Sequence, residues 1–309
     1  MPRKRKNVEK IYKIISRCLI AVLLLCATLY YLIIGETDAP GFSHGDVYTA
    51  QDMEVHFIDV GQGDCTLLLC GESAVLVDGG EAQYSYSVLQ YLDNHGVDEI
   101  DLMVATHRHS DHIGGLVGVA QEIPVCRVLM NADNAFVDTD TRTEIEFLSV
   151  LETNDIPVDI ARYGDVYAFD EMTLTVVWAG ADGIEDENEQ GIVLHCQYGE
   201  SSVLLTGDIG EETENALLAF DYDLQSDILK VAHHGSNYSS SYDFLRAVDP
   251  LFAVISCGYD NIYGHPGAET MGRLNRGIPY VLRTDTMGSI VFYCSADGKI
   301  DYSNGKDVS

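Results

Sequence analysis

The sequence predicts an α/β fold: two sheets packed on each other, helices on their outer faces, and one membrane-spanning helix ahead of them. Three observations carry this. From Glu54 onward, short apolar strands alternate with stretches of helical spacing over roughly 250 residues, the pattern of sheets that need helices to cover them. Several of the apolar runs end in clusters of His, Asp and Gly, so the strand ends empty into a shared polar cleft. Ahead of all this, Ile14 to Ile34 is apolar apart from Ser16, Arg17 and Thr28.

The chain of 309 residues opens on a basic tail, 1–13. At about 1.5 Å per residue, the run 14–34 is long enough to cross the hydrocarbon core of a bilayer. Arg17 can snorkel from its first turn. The basic flank places residues 1–13 in the cytoplasm and everything after the anchor outside, a single-pass arrangement in the cell membrane. The alternative is a cleaved signal peptide and a secreted protein. That calls for a shorter apolar core and an Ala-x-Ala-like exit, whereas the run here leaves as Gly35-Glu-Thr-Asp-Ala-Pro40. Residues 35–51 read as a polar linker, and 52–305 as the folded domain.

Within the domain, Glu54–Val60, Cys65–Cys70 and Ser73–Val77 read as a meander of short strands with tight glycine turns. Ala82–His95 has helical spacing and stops at Gly96, a C-terminal cap. Strands follow at 101–105 and 126–129, a helix at 142–152, and strands at 157–160, 172–178, 191–197 and 202–206. The rest alternates: helix 211–219, strand 227–231, helix 240–247, strand 252–256, helix 267–275, then strands 280–282 and 289–293.

Charge restricts the partners. The net charge is −31, and seven of the 18 basic residues precede position 18, against a single acid there. The part beyond Ile34 therefore holds 11 basic and 48 acidic groups, a net charge of −37. Such a surface repels polyanions, so nucleic acid would need a local basic groove or metal ions. A solvated acidic coat on an exported protein is the plainer account. Cys18 and Cys26 lie in the anchor. Cys65, Cys70, Cys126, Cys196, Cys257 and Cys294 are scattered through apolar runs, as buried small hydrophobes rather than disulfide partners.

The chemistry concentrates in Thr106 to Gly115, which reads T-H-R-H-S-D-H-I-G-G. His107, His109, Asp111 and His112 follow directly on the buried-strand pattern Asp101–Ala105. Neutral imidazole is the commonest biological metal ligand, and a carboxylate beside it suits zinc, manganese or iron. His107 and His109, two apart, point the same way, while Asp111 and His112 form a second set, a spacing that suits two metals. Gly114 and Gly115 let a helix begin close to them.

Three more clusters end apolar strands. Asp78, in Val75-Leu-Val-Asp-Gly-Gly80, is either a turn residue or part of the site. Asp208, in Val203-Leu-Leu-Thr-Gly-Asp208, can bridge two metals through its two oxygens or serve as a turn or helix cap before Glu211. His233 and His234, at a strand end before Gly235, are expected to give at least one ligand or catalytic group. His265, in Tyr263-Gly-His-Pro266, is either a substrate contact or turn structure. His44, His56, His95 and His195 are assigned to structure or surface.

In this order the motifs resemble the metallo-β-lactamase superfamily, in particular the extracellular hydrolase domain of ComEC-type competence proteins and its free-standing relatives. The pieces are Phe57-Ile-Asp-Val-Gly-Gln-Gly-Asp64, Val77-Asp-Gly-Gly80, the His107–His112 motif, Leu204-Leu-Thr-Gly-Asp208, Leu229-Lys-Val-Ala-His-His-Gly-Ser236, Tyr263-Gly-His-Pro266 and Arg283-Thr-Asp285 with Gly288. The resemblance implies a four-layer αββα metallo-β-lactamase sandwich, here preceded by one N-terminal transmembrane helix, with the site at one edge. It implies two divalent ions, zinc or manganese: one on His107 and His109, the second on Asp111 and His112 and completed by His234, with Asp208 bridging them. Asp111, His233 and His265 are the catalytic candidates, with a metal-held hydroxide as the attacking group and His233 or His265 donating to the phosphate or the leaving group.

One departure stands out. The superfamily brings another histidine to the first metal from the interval before the bridging Asp, and the only histidine there is His195, inside a strand. Water or a residue of the turn Glu187–Gly191 would have to take its place. The function implied is a membrane-anchored extracellular phosphodiesterase or nuclease acting on a phosphodiester, with DNA among the substrates considered. The alternatives are a phosphodiesterase on cell-wall or choline-phosphate substrates, and a metal-stabilised module that binds without catalysis.

Overall fold

The computed structural model describes residues 52–131, 141–181, 184 and 186–305. The expected anchor at 14–34, its basic tail and the linker 35–51 lie outside these residues. Among the described residues no helix is long and apolar enough to cross a membrane.

Strands β1 (Met53–Phe57), β2 (Thr66–Cys70) and β3 (Ser73–Val77) form the expected antiparallel meander. From β3 the chain changes habit. Helix α1 (Ser85–Asn94) crosses to β4 (Leu102–Ala105), α2 (Ser110–Glu122) to β5 (Val128–Met130), and α3 (Arg142–Thr153) to β6 (Val158–Ile160). These strands add in parallel.

The second half repeats the plan. An antiparallel meander, β7 (Val166–Phe169), β8 (Met172–Ala179), β9 (Ile192–Tyr198) and β10 (Ser201–Leu205), is followed by three parallel strands. These are β11 (Ile228–Lys230), β12 (Phe252–Ile255) and β13 (Tyr280–Arg283), reached through helices α4 (Glu211–Ala219), α5 (Tyr242–Val248) and α6 (Ala268–Gly277). A one-turn helix, α7 (Thr284–Met287), then sends β14 (Ile290–Cys294) and β15 (Ile300–Asn304) back to the first sheet, antiparallel beside β1. The sheet orders are β15-β14-β1-β2-β3-β4-β5-β6 and β13-β12-β11-β10-β9-β8-β7.

Three apolar layers hold these elements as α-β-β-α. Between the sheets, Val55, Phe57, Leu68, Val75, Val104 and Phe292 meet Leu174, Leu194, Val203 and Phe252. The outer face of the first sheet, with Leu67, Leu76 and Met103, packs on Val88, Leu92, Leu116 and Phe147 of its helices. The outer face of the second, with Leu204, Leu229 and Ala253, packs on Leu217, Phe244 and Leu274. Successive residues such as Val75 and Leu76 thus serve different layers. Strands buried on both faces read as continuous apolar runs, which is why periodicity found most of them.

Four expectations need correction. Strands β7 and β15 were not anticipated. Both lie at sheet edges: β15 alternates Ile300 and Tyr302 with Asp301, Ser303 and Asn304 and so shows no apolar run, whereas β7, Val166-Tyr-Ala-Phe169, is an apolar run of only four residues with Val166 and Ala168 exposed. Helix α2 starts at Ser110, ahead of the glycines, with His109 as its cap, so Asp111 and His112 occupy its first turn. Cys126 is exposed, because the strand expected from 126 begins only at Val128; the other described cysteines are buried, and all are free.

Candidate metal centre

In both halves the polar clusters follow the carboxyl ends of parallel strands, where open α/β sheets gather their ligands. Asp78 follows β3, His107 to His112 follow β4, and His233 and His234 follow β11. Asp208 follows β10, the neighbour of β11. Three of these positions hold a left-handed backbone without being glycine: Asp78 (φ 58°), His233 (φ 51°) and His234 (φ 52°). Such conformations cost energy and persist where the surroundings enforce them, commonly at functional sites.

Helix α2 is pinned against the turn after β3. The Gly79 N–H donates to the His112 carbonyl and the Gly115 N–H to the Gly80 carbonyl, both at 2.7 Å. A Cβ on Gly115 would lie 1.9 Å from the Gly79 oxygen, so only glycine permits this approach. That contact sets where Asp111 and His112 stand.

Their side chains converge with those of the second half. His112 Nε2 lies 3.3 Å from Asp208 Oδ1. His234 Nε2 lies 3.3 Å from Asp208 Oδ2 and 3.4 Å from Asp111 Oδ2. His107 Nε2 lies 3.1 Å from His109 Nδ1. Metal–ligand bonds of about 2.0–2.1 Å in a tetrahedral arrangement set neighbouring donor atoms roughly 3.3 Å apart. Furthermore, His112 Nε2, His234 Nε2 and Asp208 Oδ1 are buried without a hydrogen-bond partner. Buried polar atoms are almost always satisfied, so three orphans facing one another call for a cation. The donor set fits divalent metal on both counts, and the groups able to share one ion include His107–His112–Asp208 and Asp111–His112–His234.

The far side of each imidazole is also held. Asp78 Oδ2 contacts His112 Nδ1 at 2.7 Å and accepts the Thr106 hydroxyl at 2.7 Å. Thr106 Oγ1 lies 3.1 Å from His107 Nδ1. The Ser256 carbonyl takes His234 Nδ1 at 2.9 Å. Glu187 Oε2 lies 3.0 Å from His109 Nε2, and its other oxygen binds Arg108. Partners of this kind fix the tautomer and aim the remaining nitrogen. Beneath His234 sits a buried ion pair, Lys230 Nζ to Asp64 Oδ2 at 2.5 Å, with Asp64 Oδ1 3.3 Å from His234 Nδ1.

Electrostatics divide the histidines. His112 and His234 are buried, which alone would disfavour charge, yet Asp208 with Asp78 or Asp64 raises both well above the ordinary imidazole range. Burial, aided by the neighbouring charge of His112, pushes His107 well below it. Burial lowers His233 as well. Burial together with His234 and His233 brings His265 to about 4. For Asp111, burial is outweighed by the His234 hydrogen bond and the charges of His112 and His234, leaving its carboxyl at about 2. The same two histidines hold Asp208 well below the carboxylate range against its burial.

His107, His109, Asp111, His112, Asp208, His233, His234 and His265 therefore surround one place. A hollow of about 310 Å³ opens onto it, lined by Gln62, Ser110 and Tyr263 as well as His109, Asp111, Asp208, His233, His234 and His265. His233 Nε2 stands 3.8 Å from Asp208 Oδ2, and the His233 and His265 rings lie 5.6 Å apart. His195 is elsewhere: it stays within β9, with Nδ1 on the Tyr222 hydroxyl at 2.8 Å. The turn before Gly191 instead sends Glu187 to His109. Sequence reasoning missed the Asp64–Lys230 pair. Its one signal was a lysine inside the apolar run of β11.

Comparison with known proteins agrees with this geometry. A sequence model of the metallo-beta-lactamase superfamily matches residues 58–259. ComE operon protein 3 of Bacillus subtilis (strain 168) is 28% identical over 77% of this chain and 33% of its own length. Competence protein ComA of Neisseria gonorrhoeae is 29% identical over 76% and 31%. Recombination protein 2 of Haemophilus influenzae is 26% identical over 89% and 32%. The chain thus spans about a third of the length of these relatives. Among solved structures, the metallo-beta-lactamase fold protein YhfI from Bacillus subtilis aligns with a TM-score of 0.51 at 13% identity, covering 82% of this chain and 100% of that one. Igni18, a metallo hydrolase from Ignicoccus hospitalis, gives 0.51 at 14% identity over 81% and 98%. With two meander-and-crossover sheets, a histidine–aspartate cluster at their common edge and a family match over most of the domain, the chain belongs to the metallo-beta-lactamase superfamily.

Proposed function

We propose that this chain is a phosphodiesterase that works with two divalent ions, anchored in the cell membrane by residues 14–34 and facing outward. The observation that carries the reading is the convergence of His112 Nε2, His234 Nε2 and the Asp208 carboxylate at 3.3 Å, buried and in part without partners. In this reading His107, His109 and Asp208 hold one ion, while Asp111, His112 and His234 hold the other and share Asp208.

Such ions, zinc or manganese, supply when bound an activated water and a positive field for the oxygens of a phosphoryl group. The rest is the work of the chain. Asp78 and the Ser256 carbonyl occupy the Nδ1 atoms of His112 and His234, so each presents Nε2 inward. Asp208 and Asp111 stay ionised at neutral pH. His233 and His265, both lowered, are neutral there and border the hollow, where each can donate a hydrogen bond to a phosphate oxygen or the leaving group without adding charge.

The names of the relatives, competence and recombination proteins, support a phosphodiester of the nucleic-acid kind, and the net charge of −37 beyond the anchor favours a small ester over a long polyanion. The test is turnover of bis-p-nitrophenyl phosphate and of single-stranded DNA by the full chain, loaded with zinc or manganese and then stripped by chelator. Metal-dependent cleavage of the small ester is expected. A metal-loaded protein that cleaves neither contradicts the reading. Protease treatment of intact cells should remove the domain while leaving the N-terminal tail protected.

A further inference from the structure

Beside the metal cluster lies a second hollow, of about 400 Å³, and Gln62 lines both. Residues of the loop 258–266 line both hollows, and Asn261 braces that loop with hydrogen bonds. Asn261 Nδ2 donates to the carbonyls of Gly258 (2.9 Å) and His265 (2.6 Å), and Oδ1 accepts the His265 N–H (3.0 Å). The Gly258 N–H in turn donates to Gln62 Oε1 at 3.2 Å. On this braced loop three large side chains stand in solvent: Tyr259 is 84% exposed, Ile262 93% and Tyr263 63%. Tyr263 lies nearly parallel to the His265 ring, 5.9 Å away at 26°.

The core does not use these rings, and a loop pinned by three hydrogen bonds does not present them by accident of motion. Apolar groups gathered in solvent at the rim of a polar cleft mark a contact surface. The charge around them narrows the ligand. Among the described residues no lysine or arginine lines either hollow, whereas Asp59, Asp111 and Asp285 do. A cationic track along a phosphate backbone is therefore missing, while a stacking platform is present.

We propose that Tyr259 and Tyr263 form a ring-binding subsite next to the metal centre. It takes an uncharged ring laid face-on against tyrosine, a nucleobase through its π-face or a sugar through its C–H face, carried by the phosphodiester whose phosphorus lies at the cluster. The subsite rests on the phosphodiesterase reading for its position in a reaction, but it can be measured without turnover. Tyr263 and the His265 ring behind it both line the metal hollow, so a ring on Tyr263 and a phosphate at the cluster would share that hollow.

The test titrates the metal-loaded full chain with three methyl phosphodiesters: thymidine 5′-(methyl phosphate), glucose 1-(methyl phosphate) and dimethyl phosphate. Stacking on an aromatic side chain predicts that at least one ring ester binds roughly 5- to 100-fold tighter than dimethyl phosphate. Preference for the thymidine ester identifies a nucleobase, and preference for the glucose ester a sugar; either supports the subsite. Tyr259→Ala and Tyr263→Ala should each collapse that ratio, while Tyr263→Phe keeps it. Equal binding of all three esters, or a ratio that survives the two alanine variants combined, overturns the proposal. Turnover of the same esters separates the two readings. Hydrolysis without ring preference sinks the subsite alone, and ring preference without hydrolysis of these esters, of bis-p-nitrophenyl phosphate or of single-stranded DNA sinks the phosphodiesterase alone.

Discussion

Asp78 and Glu187 do similar work on opposite sides of the cluster, each engaging the nitrogen of a histidine that faces away from its neighbours. Asp78 holds His112 at 2.7 Å and Glu187 holds His109 at 3.0 Å. Removing such a partner typically costs about 10- to 100-fold in metal affinity. Asp78→Asn is expected to weaken the ion on His112 and Glu187→Gln the ion on His109, each by about that factor. Competition with a chromophoric chelator reads both constants, and equal loss of both ions in both variants would contradict the assignment. The Asp64–Lys230 pair makes a second residue-level case. Breaking a buried pair by removing one partner costs about 3–5 kcal/mol, because the other charge is left uncompensated. Lys230→Met should therefore lower the melting temperature of even the metal-free protein. At this scale the sequence was informative where chemistry clusters locally, as at His107 to His112. It was silent where partners come from distant strands, since nothing near Asp64 announces Lys230; for His109 the missing histidine pointed to the turn Glu187–Gly191 but not to which of its residues would reach the ring.

Helix α2 shows how an element can carry function through a backbone contact. Its glycines were expected to start the helix, but they stand inside it, and their role is to let it lie against the turn after β3. With a Cβ of residue 115 falling 1.9 Å from the Gly79 oxygen, Gly115→Ala must push α2 away. Overpacking of this kind costs on the order of 1–3 kcal/mol, and here the shift also moves Asp111 and His112. The variant should melt lower and bind fewer ions; a crystal structure with α2 in place and full metal content would refute this. Elements buried on both faces were legible as apolar runs, and the interior helices as 3.6-residue spacings. Helix α4 falls on the expected bounds, 211–219. Edge strand β15 was not legible, because an edge needs only one apolar face and its other face carries Asp301 and Ser303, while β7 offers only the four-residue run Val166–Phe169.

For the molecule as a whole, the histidines predict how stability depends on pH. His107, His233 and His265 have folded-state pKa values below the ordinary 6.5, as do His56 and His195. Their contribution is present above 6.5 and is lost as pH falls toward the folded values. His112 and His234 are raised, so their contribution is full below 6.5 and is lost as pH climbs through the folded values. The metal-free protein should therefore be most stable near pH 6.5 and lose stability on both sides. Metal displaces the protons of His112 and His234, so the loaded protein should keep its melting temperature on the alkaline side. Parallel melting curves with and without chelator check this, and an alkaline decline of equal slope in both would contradict it. The two-sheet plan was legible because each half repeats one order of strands and helices. The polar ends of the apolar runs pointed to one shared cleft, but which of them would hold a common ion was legible only through the resemblance, since no local pattern says which strand ends meet.

The most direct test of the central claim is metal content and phosphodiester turnover measured on the same preparations of the wild type and Asp208→Ala. The account predicts about two divalent ions per chain in the wild type, with hydrolysis of bis-p-nitrophenyl phosphate that disappears on chelation and returns with zinc or manganese. In Asp208→Ala it predicts loss of bound metal together with a fall in turnover of at least about 100-fold. A wild type that binds no metal, or an Asp208→Ala protein that hydrolyses the ester as fast as the wild type, would contradict it.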